Sequence, residues 1–344
     1  MPLMSTLDIA FVGCGAIAEY HLAGVKELGD RARVTALVDL NRSRAEQLAQ
    51  EADGDPAIYG TLDEALAAGG FDAVVLMLPH DLHEPCSMAC FDAGKHLLLE
   101  KPLGRTLEEC MRICDAAAKT DTVFLVGENT PHWEAVKRAR ALVEEGAIGE
   151  IIAADSCYIG SYDTTWWPPG SWRLDKERTG GGFSIDGGTH WIRPLRHWIG
   201  RVSQVIAATG RPIEIMEGES LNNSIWRFAS GAVATFRGLI VDAPVGPTTW
   251  YRVTGTKGQF AIDTDLFSGD AVLQLFNHEH PEGTVVTRSG GYFSAFIPQM
   301  ADFVSTVLDG TAPLAGPDEA IGDLEVIWAM YRSVESGQWE EVRG

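Results

Sequence analysis

The chain is poor in positive charge and in long apolar runs. Its 344 residues hold 27 Lys and Arg against 48 Asp and Glu, a formal net charge of -21. Such an excess repels phosphate backbones and anionic headgroups at long range, which argues against nucleic acid and membrane surfaces as partners. No apolar run approaches the roughly 20 residues that cross a bilayer. Residues 1–8 hold no basic stretch followed by an apolar one, so the expected location is cytoplasmic. Cysteine is sparse as well, six residues in all, too few for a disulfide framework in a chain this long. Four of them form i, i+4 pairs, Cys86/Cys90 and Cys110/Cys114, which read as soft residues on buried helix faces rather than as half of a metal site. Tryptophan is missing from the first 132 residues and all ten fall at Trp133 or later, so the two parts of the chain differ in kind. Internal repeats and low-complexity segments are also lacking.

What is present is a globular composition, 45% hydrophobic, with enough residues for two domains. Apolar, β-rich runs at 7–12, 33–38, 72–78, 96–99 and 122–126 alternate with helix-like segments at 16–28, 43–52, 82–93 and 107–119. That alternation predicts βαβ units on a parallel sheet with both faces covered. After a further helix at 132–145 the pattern changes. A loop rich in Trp and Pro and a helix near 184–199 precede runs at 202–209, 220–228, 232–239, 250–255 and 259–262, with helices at 296–308 and 317–334 closing the chain. The expected fold class is α/β, a Rossmann domain at 1–128 followed by an α+β domain at 129–344 with a large, mostly antiparallel sheet.

Directly after the first strand stands Gly13-Cys14-Gly15-Ala16-Ile17-Ala18, a G-x-G-x-x-A fingerprint opening a helix. Gly13 permits the tight turn, Gly15 lets backbone approach a pyrophosphate, and Ala18 keeps helix and strand close, while the first amides of the helix point at the anion. Asp39 ends the second strand region, where a carboxylate accepts hydrogen bonds from ribose hydroxyls and repels a 2'-phosphate. NAD is therefore favoured over NADP, although Arg42 and Arg44 follow closely enough to tolerate a phosphate.

Two further clusters carry chemistry. Glu100-Lys101-Pro102 follows the strand at 96–99, at the carboxyl edge where ligands bind in open α/β sheets. A lysine there can hydrogen-bond a reacting hydroxyl and stabilise alkoxide character. Later, Gly180-Gly181-Gly182 leads into a helix-like segment in which Asp186 and His190 lie four residues apart, expected on one helix face. The histidine titrates near neutrality, as a base taking a hydroxyl proton must. Trp166, Trp167 and Trp172 with Pro168 and Pro169 offer aromatic faces for a sugar ring or an interface. His278-Glu279-His280, followed by Pro281 and Gly283, reads as a solvated turn rather than a metal site.

Together the Gly13–Ala18 fingerprint, the Pro79 to His83 turn, Glu100-Lys101-Pro102, Trp172-Arg173 and Gly181-Gly182 through Asp186 to His190 resemble the Gfo/Idh/MocA oxidoreductases over essentially the whole chain. The resemblance implies a Rossmann domain and an open-faced sheet domain used for association, hence a homodimer or homotetramer. It implies Lys101, Asp186 and His190 as the catalytic group and a sugar, cyclitol or related polyol as substrate. It places Pro79, His83, Glu100 and Lys101 with Gly13, Gly15, Ala16, Ile17, Ala18, Asp39 and Arg42 around the dinucleotide, and Trp166, Trp172, Arg173 and Arg193 toward substrate. Two positions depart from the family pattern. Arg193 stands where many members carry aspartate, free to meet a substrate carboxylate or phosphate or to form a structural ion pair, and Glu128-Asn129-Thr130 replaces an arginine common elsewhere. Expected is hydride transfer at a secondary alcohol. The alternatives are an internal oxidation and re-reduction cycle on a glycoside and a non-catalytic dinucleotide-binding regulator.

Overall fold

The computed structural model describes residues 6–343 apart from 247 and 265–268. It divides into two compact units, Met1–Glu128 with Phe296–Ala320 and Asn129–Ala295 with Ile321–Gly344. Residues 296–320 cluster with the first unit, whereas the sequence reading places them in the second domain. The reason is burial. Helix Phe296–Asp309 brings Met300, Phe303, Val304 and Leu308 into one apolar cluster with Leu22 and Val25 of helix Ala16–Glu27, completing that core.

In the first unit, β1 (Leu7–Val12), β2 (Ala32–Val38), β3 (Ala57–Tyr59), β4 (Ala73–Leu76), β5 (His96–Glu100) and β6 (Phe124–Gly127) form one sheet in the order β3-β2-β1-β4-β5-β6. Every pairing is parallel. Strands such as β4, Ala-Val-Val-Leu, are buried at all positions because helices cover both faces. The chain leaves β1 toward β2 and later returns on the other side as β4, so the strand order reverses between β1 and β4, a switch point where the carboxyl ends open a crevice. Two elements escape the sequence reading: β3, only three residues long, and helix Leu62–Ala68, which starts at a capping box between Thr61 and Glu64.

The second unit is built on β7 (Ile151–Ser161), β8 (Val202–Gly210), β9 (Leu221–Phe228), β10 (Val233–Val241), β11 (Thr248–Gly255), β12 (Gly258–Thr264), β13 (Ala271–Asn277), β14 (Thr284–Ser289) and β15 (Glu340–Glu341). Their order is β14-β13-β12-β11-β7-β10-β9-β8-β15. Only β7 and β10 pair in parallel among the described strands. Alternation in β9 buries Asn222, Ser224, Trp226 and Phe228 on one face and exposes Asn223, Ile225 and Arg227 on the other. The buried face carries an aromatic layer: Tyr158 stacks on Phe183 and meets Trp191, while Trp198 packs edge-on against Tyr251 and Phe260.

The single helix expected at 184–199 is two, Phe183–Asp186 and Thr189–Ile199. Gly187 and Gly188 separate them, and the amide of Gly188 reaches back to Phe183 O at 3.0 Å, five residues away. Asp186 therefore ends one helix and His190 stands in the first turn of the next, not on a shared helical face.

Candidate active site

The first unit presents the dinucleotide fingerprint at the carboxyl end of β1. Gly13 has φ +93, its amide donates to Val38 O at 2.8 Å, and a Cβ there would lie 2.2 Å from Met77 O. No other residue fits this turn without strain. Gly15 is different: a Cβ would meet nothing within 4 Å, and no side chain caps the helix it begins. The first amides of helix Ala16–Glu27 thus front open space, as a pyrophosphate cradle requires. Ala16 is exposed, Ile17 half-buried, and Ala18 fully buried against the sheet.

Asp39 lies beside this turn. Its Oδ2 accepts from the Cys14 amide at 2.9 Å and its Oδ1 from the Asn41 amide at 2.7 Å, so the carboxylate is fixed next to the glycines. Burial and the Asp39 charge push the Cys14 thiol up to about 12, leaving it protonated and inert at neutral pH. Arg42 forms an exposed i, i+4 pair with Glu46 at 2.8 Å. These residues suit an adenosine half carrying free ribose hydroxyls, and the fit holds on the backbone geometry of the turn itself.

Two strand positions from β1 across the same edge, β5 ends at Glu100 and Lys101 follows, half-buried. Glu100 is buried, with Oε1 2.7 Å from His21 Nε2 and Oε2 accepting the Lys101 amide at 3.2 Å. Its carboxylate ties the fingerprint helix to the lysine loop rather than pointing at a ligand. His83 departs from the expected cofactor contact. It is fully buried, with Nδ1 2.7 Å from Pro102 O and Nε2 3.0 Å from Leu78 O, a strut between the loop opened by Pro79 and the Lys101 loop. Burial pushes its pKa down.

In the second unit Arg173 pairs with Asp186 and lies 4.6 Å over the Trp172 ring. The short helix carrying Asp186 is seated by Glu219, whose carbonyl accepts the Phe183 amide at 2.7 Å and whose Oε1 accepts the Ser184 amide at 2.8 Å and the Tyr331 hydroxyl at 3.0 Å. Gly182 makes this possible, since a Cβ there would sit 2.1 Å from Glu219 O. Desolvation pushes the Glu219 carboxyl up from its ordinary value.

His190 is anchored through both backbone and ring. Pro194, four residues on, has no amide to close the helical bond to the His190 carbonyl, and the Tyr251 hydroxyl donates to that oxygen at 2.8 Å instead. On the ring, Tyr292 Oη stands 2.8 Å from Nε2. Arg193 takes the structural course: it is buried, its Nε bonds Asp323 Oδ2 at 2.7 Å, and Arg196 shares the same carboxylate at 2.5 Å, so it is not a substrate contact. Trp166 stacks on Phe293 at 6.2 Å.

The structure thus gathers Gly13 to Ala18 with Asp39, Lys101 with Glu100, and Asp186 with Arg173. Sequence reasoning missed Tyr292, Tyr251, Glu219, His21 and Asp323. Only Tyr251 left a local trace, the proline at 194 that frees a carbonyl. The i, i+4 cysteines do lie on helices; Cys90 and Cys110 are fully buried, and among the described residues no group of three His, Cys, Asp or Glu is arranged to hold a metal ion. His278 to His280 fold back on Asn277 Oδ1 in the turn between β13 and β14.

Comparison with known proteins agrees with this geometry. A GFO/IDH/MocA oxidoreductase model with an NAD-binding Rossmann fold matches residues 7–128, and the GFO/IDH/MocA C-terminal domain model matches residues 136–261. The chain is 37% identical over 213 residues to levoglucosan dehydrogenase of Pseudarthrobacter phenanthrenivorans, covering 55% of each chain. It is 23% identical to the NADP-dependent D-xylose 1-dehydrogenase of Haloarcula marismortui, across 95% of this chain and 91% of that one. A solved oxidoreductase of Thermotoga maritima superposes with TM-score 0.84 at 29% identity, covering 98% of both chains. No helix among the described residues is long and apolar enough to cross a membrane. With its fingerprint, its lysine loop and both of its domains matched, the chain belongs to the GFO/IDH/MocA family of NAD-binding oxidoreductases.

Proposed function

We propose that this protein transfers hydride reversibly between a secondary alcohol carbon of a sugar, cyclitol or related polyol and NAD, with NADP as the less favoured cofactor. The reading rests chiefly on one observation: the fingerprint turn and Lys101 stand at the same carboxyl edge of one parallel sheet. NAD supplies the hydride acceptor. Lys101 donates a hydrogen bond to the reacting oxygen and favours its alkoxide character. His190 takes the hydroxyl proton as the C–H bonding pair departs, so the substrate loses two electrons and one proton is stored on the imidazole. Asp186, held by Arg173, accepts from a neighbouring substrate hydroxyl. Trp172 and Trp166 supply apolar surface for ring C–H groups. The named substrates of the relatives, D-xylose and levoglucosan, favour a sugar. Asp39 beside the turn favours free ribose hydroxyls and hence NAD.

The test is reduced-nicotinamide absorbance with NAD or NADP against a panel of aldoses, inositols, uronic acids and anhydrosugars. Reduction with one polyol class is expected; no turnover with any of them overturns the reading. Exposed Ile225 and Val233 on the open face of the second sheet support a homodimer or homotetramer, which light scattering on the purified protein decides.

A further inference from the structure

Asp186 sits on a helix of four residues, Phe183–Asp186, too short to hold its own place, because one turn fixes several dihedrals for a single hydrogen bond. Its position is imposed from outside, and the segment that imposes it also holds the turn carrying Arg173. Glu217 acts on the arginine side: its amide donates to Leu174 O at 2.9 Å and its Oε2 accepts the Lys176 amide at 3.1 Å. Glu219 acts on the aspartate side, through its bonds to the Phe183 and Ser184 amides. Between them Gly218 runs against the glycine entry, where a Cβ would stand 2.3 Å from Gly182 Cα and 2.4 Å from Gly181 O. The Tyr331 hydroxyl closes the arrangement, donating to Glu219 Oε1 at 3.0 Å and accepting the Gly182 amide at 3.3 Å. A Cβ on Gly181 would lie 2.2 Å from that hydroxyl. The segment is itself pinned at Ser220, whose amide donates to Gly210 O at 3.0 Å and whose carbonyl accepts the Ile240 amide at 2.8 Å, anchoring it to β8 and β10.

We propose that Glu219 and Tyr331 are positioning residues for Asp186: with Glu217 they fix the Arg173–Asp186 pair, and so the direction from which its carboxylate accepts a substrate hydroxyl. The inference rests on the reading of Asp186 as a substrate contact. A carboxylate that selects one hydroxyl among several on a polyol needs a fixed place, since a displacement of about 1 Å turns a good hydrogen bond into a poor one. The bond to Arg173 does not by itself supply that place, because an ion pair shifts as one body when both of its backbones shift. Here both backbones are tied to one segment, 217–219, and through it to the sheet. The Glu219 side chain is the joint: its Oε1 takes a donor from the Asp186 helix and another from Tyr331. Loosening that joint weakens the hold on the substrate hydroxyl and leaves the fingerprint turn of the first unit as it is.

Tyr331→Phe keeps the ring and removes the hydroxyl shared by Glu219 and Gly182. With the aldose, inositol, uronic acid or anhydrosugar that reduces NAD in the panel above, substrate KM is expected to rise about tenfold. Both kcat and the Kd for NADH measured by fluorescence should stay near wild type, the pattern of lost uniform binding. Glu219→Gln retains an oxygen for the Ser184 amide and should raise KM by a smaller factor, about threefold. In an Asp186→Asn background Tyr331→Phe should add nothing further, because it acts through that carboxylate. Hydrogen exchange supplies a readout that needs no substrate: the Phe183 and Ser184 amides should exchange about tenfold faster in Tyr331→Phe than in wild type, with the amides of β9 and β10 unchanged. An unchanged KM, losses in kcat and cofactor affinity as large as the rise in KM, additive effects in the double variant, or exchange at Phe183 and Ser184 at the wild-type rate would each overturn the proposal. An Asp186→Asn enzyme with wild-type KM overturns instead the reading of Asp186 as a substrate contact.

Discussion

The two units solve the problem of placing functional groups in opposite ways. In the first, backbone does it: a glycine turn, a helix start and the ends of parallel strands set the geometry, and an apolar core on both sheet faces holds them. In the second, side chains do it, through Glu219 under the short helix, Asp323 between two arginines, and two tyrosines on one histidine. Backbone devices recur as local motifs, whereas side-chain networks are assembled from residues far apart in the chain. A family can therefore keep one cofactor half while its other half diverges.

The largest expected effect breaks the chemistry and spares the fold. Lys101→Met should lower kcat by about a thousandfold with NADH affinity nearly intact, since in the proposed mechanism it removes a charged donor from the reacting oxygen; steady-state kinetics with parallel cofactor titration reads it, and undiminished turnover removes Lys101 from the mechanism. Next is the second unit's own support. Asp323→Asn strips the buried Arg193 and the half-buried Arg196 of their carboxylate and should cost about 3–5 kcal/mol of stability, seen by denaturant unfolding. An unchanged midpoint would mean that the ion pairs do not hold that unit.

Two glycines then test the backbone half against itself. Gly13→Ala places a methyl against the Met77 carbonyl at positive φ and should destabilise the fold by about 1–3 kcal/mol. Gly15→Ala meets open space and should leave the melting temperature alone while weakening NAD binding about tenfold, by intruding on the pyrophosphate. Equal NAD affinity in Gly15→Ala would place the dinucleotide elsewhere.

The smallest effect is a pH dependence. Glu219 has a folded pKa raised above its unfolded value, so the fold holds the proton more tightly than the unfolded chain does. The associated stability is complete below the ordinary carboxylate value and is lost as pH rises through the raised one. As pH rises from the ordinary carboxylate value the wild type should thus lose stability relative to Glu219→Gln, by on the order of 2 °C in Tm. Parallel pH curves for the two proteins would show that burial exerts no such penalty.

Most of the first unit was legible because buried parallel strands are continuous apolar runs and the fingerprint is local. β3 was not, being three residues long with none fully buried. β7 was hidden by Asp155, Ser156 and Gly160, which interrupt its apolar pattern, though it lies at the middle of the nine-stranded sheet. The candidate site divides along the same line. Lys101, Asp186 and His190 were proposed from their surroundings in sequence, whereas Tyr292 is 102 residues from His190 and Asp323 is 130 from Arg193, separations that leave no local signal. His83 misled because a histidine in a turn near the switch point looks available, while its ring is fully buried between the Pro102 and Leu78 carbonyls.

The return of residues 296–320 to the first unit sets a timetable for synthesis. A nascent chain ended at residue 128 carries all six strands of the cofactor sheet but lacks the helix that covers Leu22 and Val25, so that core cannot close. Residues 129–295 must be made first, which at about 5–20 residues per second leaves an apolar helix face uncovered on the ribosome for on the order of 10–30 s. The unit that begins folding earliest is finished only after nearly the whole of its neighbour has been translated.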